Sequence, residues 1–238
     1  MPNTKDISTE NVFRRFLILG APGTGKTTFA STFPKPYFFD FDNKMLVLAG
    51  KDIDYDTYAD TGTTPKAWRA FIDKLENLLK NPVAEYQTIV LDSFTMLQEI
   101  GMNEVQRVNA TYGKPVQLKE WGILSGMLND VLYMLKAVTT MHVVVVVHEE
   151  IIKDDESRAL SIVPMAMGKL SSYISAFFHE VYRTKTRRTS KGIEYYIVTK
   201  AIDGAPGNTT LKGLSTEEKP DFNHLMAKDK EWHNQNKQ

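Results

Sequence analysis

Cysteine is absent from the 238 residues. That excludes disulfides, thiol nucleophiles and cysteine-ligated zinc, and it suits a reducing compartment. Long apolar runs are also missing. The longest, the valines at 143–147, is far short of the roughly 20 residues that a membrane-crossing helix needs. The opening Met1-Pro2-Asn3-Thr4-Lys5-Asp6 has no apolar core of a signal peptide. The expectation is therefore a cytoplasmic protein without a membrane partner. Charge of one sign is lacking too: 29 basic and 29 acidic residues cancel. Any nucleic-acid binding must then rest on local basic patches rather than on an overall field. The five histidines have no metal-ligand spacing, so no zinc site is predicted. No repeat or low-complexity tract is present. What remains is 42% hydrophobic and 24% charged, enough for one α/β domain with a full core and too little for two.

Strand and helix patterns alternate along the chain. Residues 13–19 read as a first strand, 26–32 as a helix closed by Pro34 and Pro36, and 37–41 as a second strand. Residues 52–65 are polar and turn-rich, a predicted surface excursion. Helical spacing recurs over 66–79, 94–108 and 120–138, with Tyr112-Gly113-Lys114-Pro115 breaking the last two apart. Trp68 and Trp121, near two helix starts, are predicted core anchors. Residues 88–91 and 142–147 read as buried strands, the second so rich in valine that it should be covered on both faces. A polar loop is expected over 149–164 and a short helix over 165–175. Two strands follow, 177–185 and 192–201, as an antiparallel hairpin turned near Ser190-Lys191-Gly192. From Leu214 onward the chain is polar and expected to fray. The pattern predicts an α/β fold: a mostly parallel sheet flanked by helices, ending in an antiparallel hairpin.

The strongest motif is Gly20-Ala21-Pro22-Gly23-Thr24-Gly25-Lys26-Thr27, followed by Thr28. It fits the phosphate-binding P-loop in full and sits between a strand and a helix, the context it requires. Glycines let the backbone wrap around phosphate oxygens with successive N–H groups pointing inward, and the helix adds its positive end. Lys26 should reach the β- and γ-phosphates, and the Thr27 hydroxyl should ligate Mg²⁺. The cofactors are therefore expected to be ATP and Mg²⁺. The strand Thr88-Ile89-Val90-Leu91-Asp92 supplies a second metal-side group, Asp92.

Ser93 follows Asp92, where many ATPases carry a water-activating Glu. Either a carboxylate comes from elsewhere or the protein barely hydrolyses; Tyr37-Phe38-Phe39-Asp40-Phe41-Asp42 offers two candidates. Two residues apart on an extended strand, they should share a face. If that strand neighbours the P-loop strand, one of them could orient or deprotonate the attacking water.

With these residues in place, the chain resembles the RecA-type recombinase core, over residues 13–206. In that family a short strand ends in an acidic pair whose second member is the catalytic base, a role the resemblance gives to Asp42. Ile89-Val90-Leu91-Asp92-Ser93 is similar to the family's metal-side strand. Val147-His148-Glu149 stands where the family has a γ-phosphate-sensing polar pair, although His148 and Glu149 depart from the usual residues. Thr199-Lys200-Ala201, followed by Ala205-Pro206, resembles the strand whose lysine reaches a neighbouring subunit's ATP, which implies a catalytic Lys200 acting in trans. More narrowly, the chain resembles short phage-encoded RecA-core ATPases that promote single-strand annealing. Phe39-Asp40-Phe41-Asp42, the Val147-His148-Glu149 strand end, Gly168-Lys169-Leu170 and Phe178-His179-Glu180-Val181-Tyr182-Arg183 carry that likeness. It implies single-stranded DNA as a partner, a homo-oligomeric ring or filament, a single-stranded DNA-binding protein as a further partner, and the host cytoplasm as location.

Arg183, Lys185 and Arg187 alternate with Tyr182, Thr184 and Thr186, so on a strand the three charges share a face that could track a phosphate backbone. A solvated hairpin edge guarded by charge reads the same way. The loop after His148 mixes Lys153, Arg158 and Lys169 with Glu150, Asp154, Asp155 and Glu156, a poor DNA binder by charge alone. The segment 107–119 with Tyr112 is a second candidate loop, or a plain interhelical turn. The expected organisation is a lead-in over 1–12, a P-loop core over 13–213 and a polar tail over 214–238. The leading function is an ATP-hydrolysing recombination or annealing protein. A small-molecule kinase and a nucleotide-gated DNA-replication accessory ATPase are the alternatives; an AAA+ motor or loader fits less well, because the tail after Leu214 is short and polar for a helical lid and Ser93 replaces the expected Glu.

Overall fold

The five valines 143–147 are fully buried at the middle of the sheet, where β-branched side chains pack against both faces. They belong to β5, His142–Lys153. The computed structural model of the chain describes residue 3 and residues 12–60, 64–81, 85–153 and 160–236. On one side β5 pairs in parallel with β1, Arg15–Gly20; on the other it pairs in parallel with β4, Thr88–Asp92. The sheet continues past β4 to β2, Pro36–Asp40, and to an edge strand β3, Asp54–Thr57, again in parallel. Past β1 come β7, Glu180–Thr189, then β8, Gly192–Val198, and β9, Glu217–Glu218. β7 runs parallel to β1, and β8 and β9 run antiparallel. The order is β3-β2-β4-β5-β1-β7-β8-β9, with β6, Leu160–Pro164, paired antiparallel to the far end of β5.

Strand alternation sorts side chains into two cores. Val143, Val145 and Val147 join Leu17, Leu19, Ile89 and Leu91 beneath the helices α2 (Ala67–Lys80), α3 (Phe94–Val108) and α4 (Leu118–Lys136). Val144 and Val146 join Phe16, Ile18 and Val90 beneath α1 (Lys26–Ala30) and α6 (Phe222–Gln235). A short α5, Leu170–Tyr173, and a 3-10 turn, Ile174–Phe177, lead into β7. The α/β class and the C-terminal antiparallel hairpin are as predicted. No helix among the described residues is long and apolar enough to cross a membrane.

Four expectations are corrected. The excursion over 52–65 contains β3, whose side chains are exposed and so give no apolar signal. The loop over 149–164 begins and ends as strand: β5 runs on to Lys153 and folds back as β6, with Ile151 opposite Ile162. Asp154, Asp155, Glu156 and Arg158 of that stretch lie outside the described residues. The tail does not fray at Leu214. Asp221 caps α6 by accepting from His224 N–H at 2.9 Å, and Phe222 and Leu225 are buried against Phe16 and Phe33. Finally, Trp68 is buried but Trp121 is 43% exposed: it stands in the first turn of α4, where the buried side chain is Glu120.

Candidate nucleotide-binding site

β1 ends at the P-loop, and the loop's geometry depends on what stands behind it. Gly20 passes so close to β7 that a Cβ there would sit 2.2 Å from Thr184 Oγ1. Gly25 has φ +86, and a Cβ on it would meet the Tyr195 ring at 3.0 Å. Both positions therefore require glycine. The Thr24 hydroxyl closes the loop on Ala21 O at 2.7 Å and bonds the Thr184 hydroxyl at 2.7 Å. Lys26 Nζ donates to Gly20 O at 2.8 Å and Ala21 O at 2.9 Å. Burial pulls the Lys26 ammonium down from its ordinary range, while Asp92, Asp42 and Glu149 oppose that shift.

The loop floors a cavity of about 580 Å³, a volume suited to a small-molecule ligand. Of the predicted P-loop residues, Pro22, Gly23, Gly25, Lys26, Thr27 and Thr28 line it; Gly20, Ala21 and Thr24 shape the loop from behind. Asp92, at the end of β4, reaches the cavity 4% exposed. Burial raises its carboxyl to about 6, against the Thr27 hydroxyl, which lowers it. Among the described residues, Asp92 Oδ2 is the one buried side-chain oxygen without a hydrogen-bond partner. A bare carboxylate oxygen beside a threonine hydroxyl and a phosphate loop suits Mg²⁺, which keeps few protein ligands and shares the rest with phosphates and water. No cluster of three or more His, Asp or Glu among the described residues could hold a metal alone.

The acidic pair divides. Asp40 is 1% exposed and turned away from the cavity, accepting from Asp42 N–H at 3.1 Å, Lys44 N–H at 3.4 Å and the Thr57 hydroxyl at 3.1 Å. It fixes the bend after β2. Asp42, beyond the strand end, faces the cavity. Its Oδ1 accepts from the Ser93 hydroxyl at 2.6 Å and Ser93 N–H at 3.2 Å, and its Oδ2 lies 3.5 Å from His148 Nε2. The two acids do not share a face, because the chain bends after Asp40. Nor is β2 a neighbour of β1, since β4 and β5 lie between them. Asp42 arrives by the bend and by Ser93, which also caps α3. The Asp92–Ser93 peptide is cis.

His148 lines the cavity; Glu149, next on β5, is bound to Arg183 in a two-point pair at 2.7 and 3.0 Å across the end of β1. Arg183, Lys185 and Arg187 do share one face of the hairpin, but the face is partly neutralised. Arg187 bonds Glu194 and Glu217, and Lys185 lies over the Tyr196 ring at 5.9 Å. Lys200 follows β8, exposed, and with Arg183 and Lys185 lines a small cleft outside the nucleotide cavity. Thr184, Tyr195 and Pro220 escape sequence reasoning. All three lie more than 150 residues along the chain: Thr184 and Tyr195 reach the P-loop through strand pairing, and Pro220 through the turn between β9 and α6.

Two solved structures are similar in outline. A KaiC-like protein from the archaeon Pyrococcus horikoshii is 15% identical, over 79% of each chain, with a TM-score of 0.40. The flagellar accessory protein FlaH from Methanocaldococcus jannaschii is 11% identical, over 86% of this chain and 83% of that one, with a TM-score of 0.37. Among curated proteins no sequence match is found. A family model described as an AAA domain matches residues 13–211, most of the chain and all of the cavity except Pro220. With a complete P-loop, an acid at the end of β4 and that match, the chain belongs to the AAA domain family and is a P-loop ATPase.

Proposed function

We propose that the chain is an Mg²⁺-dependent ATPase of recombination or annealing, of the phage type, that works on single-stranded DNA as a homo-oligomer. The observation that carries the catalytic part is the convergence of Lys26, Asp92 and Asp42 on one cavity. The P-loop N–H groups bind the β- and γ-phosphates. Lys26 exchanges the carbonyls of Gly20 and Ala21 for phosphate oxygens. Thr27 and Asp92 hold Mg²⁺, which when bound neutralises charge on the phosphate oxygens. Asp42, oriented by Ser93 and His148, positions the attacking water beside the γ-phosphate.

The DNA part is supported by the family resemblance and by the hairpin face that gathers Arg183, Lys185, Arg187 and Lys200. The test is ATP turnover with and without a single-stranded oligonucleotide, with Lys26→Ala as control. DNA stimulation that vanishes in Lys26→Ala is the expected result. Turnover indifferent to DNA but dependent on a small-molecule acceptor would replace this reading with a kinase. Wild-type binding and turnover surviving in a folded Lys26→Ala protein would remove the ATPase assignment of this loop.

A further inference from the structure

The cavity has two ends, set by sheet order. β5, β4 and β2 lie to one side of β1 and bring His148, Asp92 and Asp42; β7 and β8 lie to the other. A triphosphate seated in the P-loop with its metal side toward Asp92 has its ribose and base on the β7–β8 side. There the wall is formed by Tyr195 of β8 and Pro220, just before α6. The Tyr195 ring packs on Gly25, yet the residue remains 45% exposed. Its strand neighbours Tyr196 and Ile197 are buried, so Tyr195 is the ring of this strand left open beside the cavity. The carboxylates among the described lining residues, Asp42 and Asp92, both stand at the phosphate end, and no side-chain amide lines either end.

We propose that Tyr195 stacks on the base of the bound nucleotide, with Pro220 as a second apolar contact. The base is held by its face rather than read by its edge, so ATP and GTP bind with similar affinity. This rests on the cavity being the nucleotide site. Every base presents a π-face to an aromatic ring, so stacking tolerates base identity. Strong discrimination needs buried polar groups that a wrong base leaves unpaired, and among the described residues the side chains at this end supply no buried one.

Calorimetric titration with three Mg²⁺-loaded probes tests the proposal: ATP, GTP and inorganic tripolyphosphate, which has the phosphates and no base. Tyr195→Ala should weaken ATP and GTP by about 5- to 150-fold and leave tripolyphosphate within about twofold of wild type. Tyr195→Phe should restore nucleotide affinity, since the ring is what matters. ATP and GTP should lie within about tenfold of each other in the wild type. An ATP affinity unmoved by Tyr195→Ala would overturn the stacking role. So would a parallel loss of tripolyphosphate, because Tyr195 would then act on the loop through Gly25. A larger gap between ATP and GTP would show that backbone groups read the edge. If the wild type binds none of the three, the nucleotide reading itself fails, and this inference falls with it.

Discussion

Asp42 illustrates how much a single carboxylate depends on its setting. Burial pushes its pKa up, but hydrogen bonds from His148 and Ser93 and the nearby Lys44 charge outweigh that and hold it at about 2, below its ordinary 3.8. The folded value is depressed, so its contribution to stability is complete above 3.8 and is lost as pH falls toward 2. At neutral pH it is a fixed anion, suited to orienting a water. Asp42→Asn should lower turnover by about 10²- to 10⁴-fold while ATP binding stays near wild type. Ser93→Ala, which removes one clamp and keeps the carboxylate, should fall between the two. If Asp42→Asn is fully active and Glu149→Gln is not, the base is Glu149, and the Arg183 pair must open during the cycle. The P-loop and Asp92 are legible in sequence because their chemistry is contiguous or ends an apolar strand. Asp42 is legible as one of two acids. That Asp40 fixes a bend and only Asp42 faces the cavity is not, because a bend one residue past a strand end has no composition of its own.

At the scale of elements, the hairpin of β7 and β8 was readable from its alternation, but its charge balance was not. The carboxylates that neutralise Arg183 and Arg187 come from β5, β8 and β9, and only pairing brings them there. This redistributes the expected DNA contacts. Lys185→Gln combined with Lys200→Gln should flatten the salt dependence of oligonucleotide binding by about 1.4 in slope, at about 0.7 per phosphate contact. Arg187→Gln should change it less, because that guanidinium is already matched. Anisotropy titrations across salt concentrations check both, and a slope unchanged in the double variant would make this face a solvated edge. The continuation of β5 and the helix α6 give weak sequence signals for one shared reason. Each buries few side chains, so its apolar periodicity is thin, although the Pro220-Asp221 start of α6 is a usable cap signal.

For the whole molecule, two measurements matter. His142 lies between Phe13 and Phe222, with ring centroids at 5.1 and 5.0 Å, and its Nδ1 accepts from Arg14 N–H at 3.1 Å. It thus joins the first strand to the C-terminal helix. Burial lowers its pKa to about 4 from 6.5. The folded protein therefore resists protonation, and stability, full above 6.5, should fall as pH drops toward 4. The loss is about 3 kcal/mol, taking about 1.4 kcal/mol per unit. Denaturation at pH 7.5 and 4.5 should show a smaller difference in His142→Asn, which keeps an acceptor for Arg14. An equal difference would place the acid sensitivity elsewhere. The second measurement concerns assembly. Lys200 lies outside its own chain's cavity, so if it serves catalysis it serves a neighbour. Mixed Lys26→Ala and Lys200→Ala subunits should recover turnover that neither has alone, and a fully active Lys200→Ala protein would end that role. The attachment of the P-loop to the hairpin has a mechanical side as well. Thr184 grips the loop through Thr24, and Tyr195 leans on Gly25, while the same two strands run on to a turn at Ser190 and Lys191. The hairpin is thus a lever with its fulcrum at the P-loop. Whatever pulls on its tip and whatever fills the loop must contend for the same short stretch of backbone.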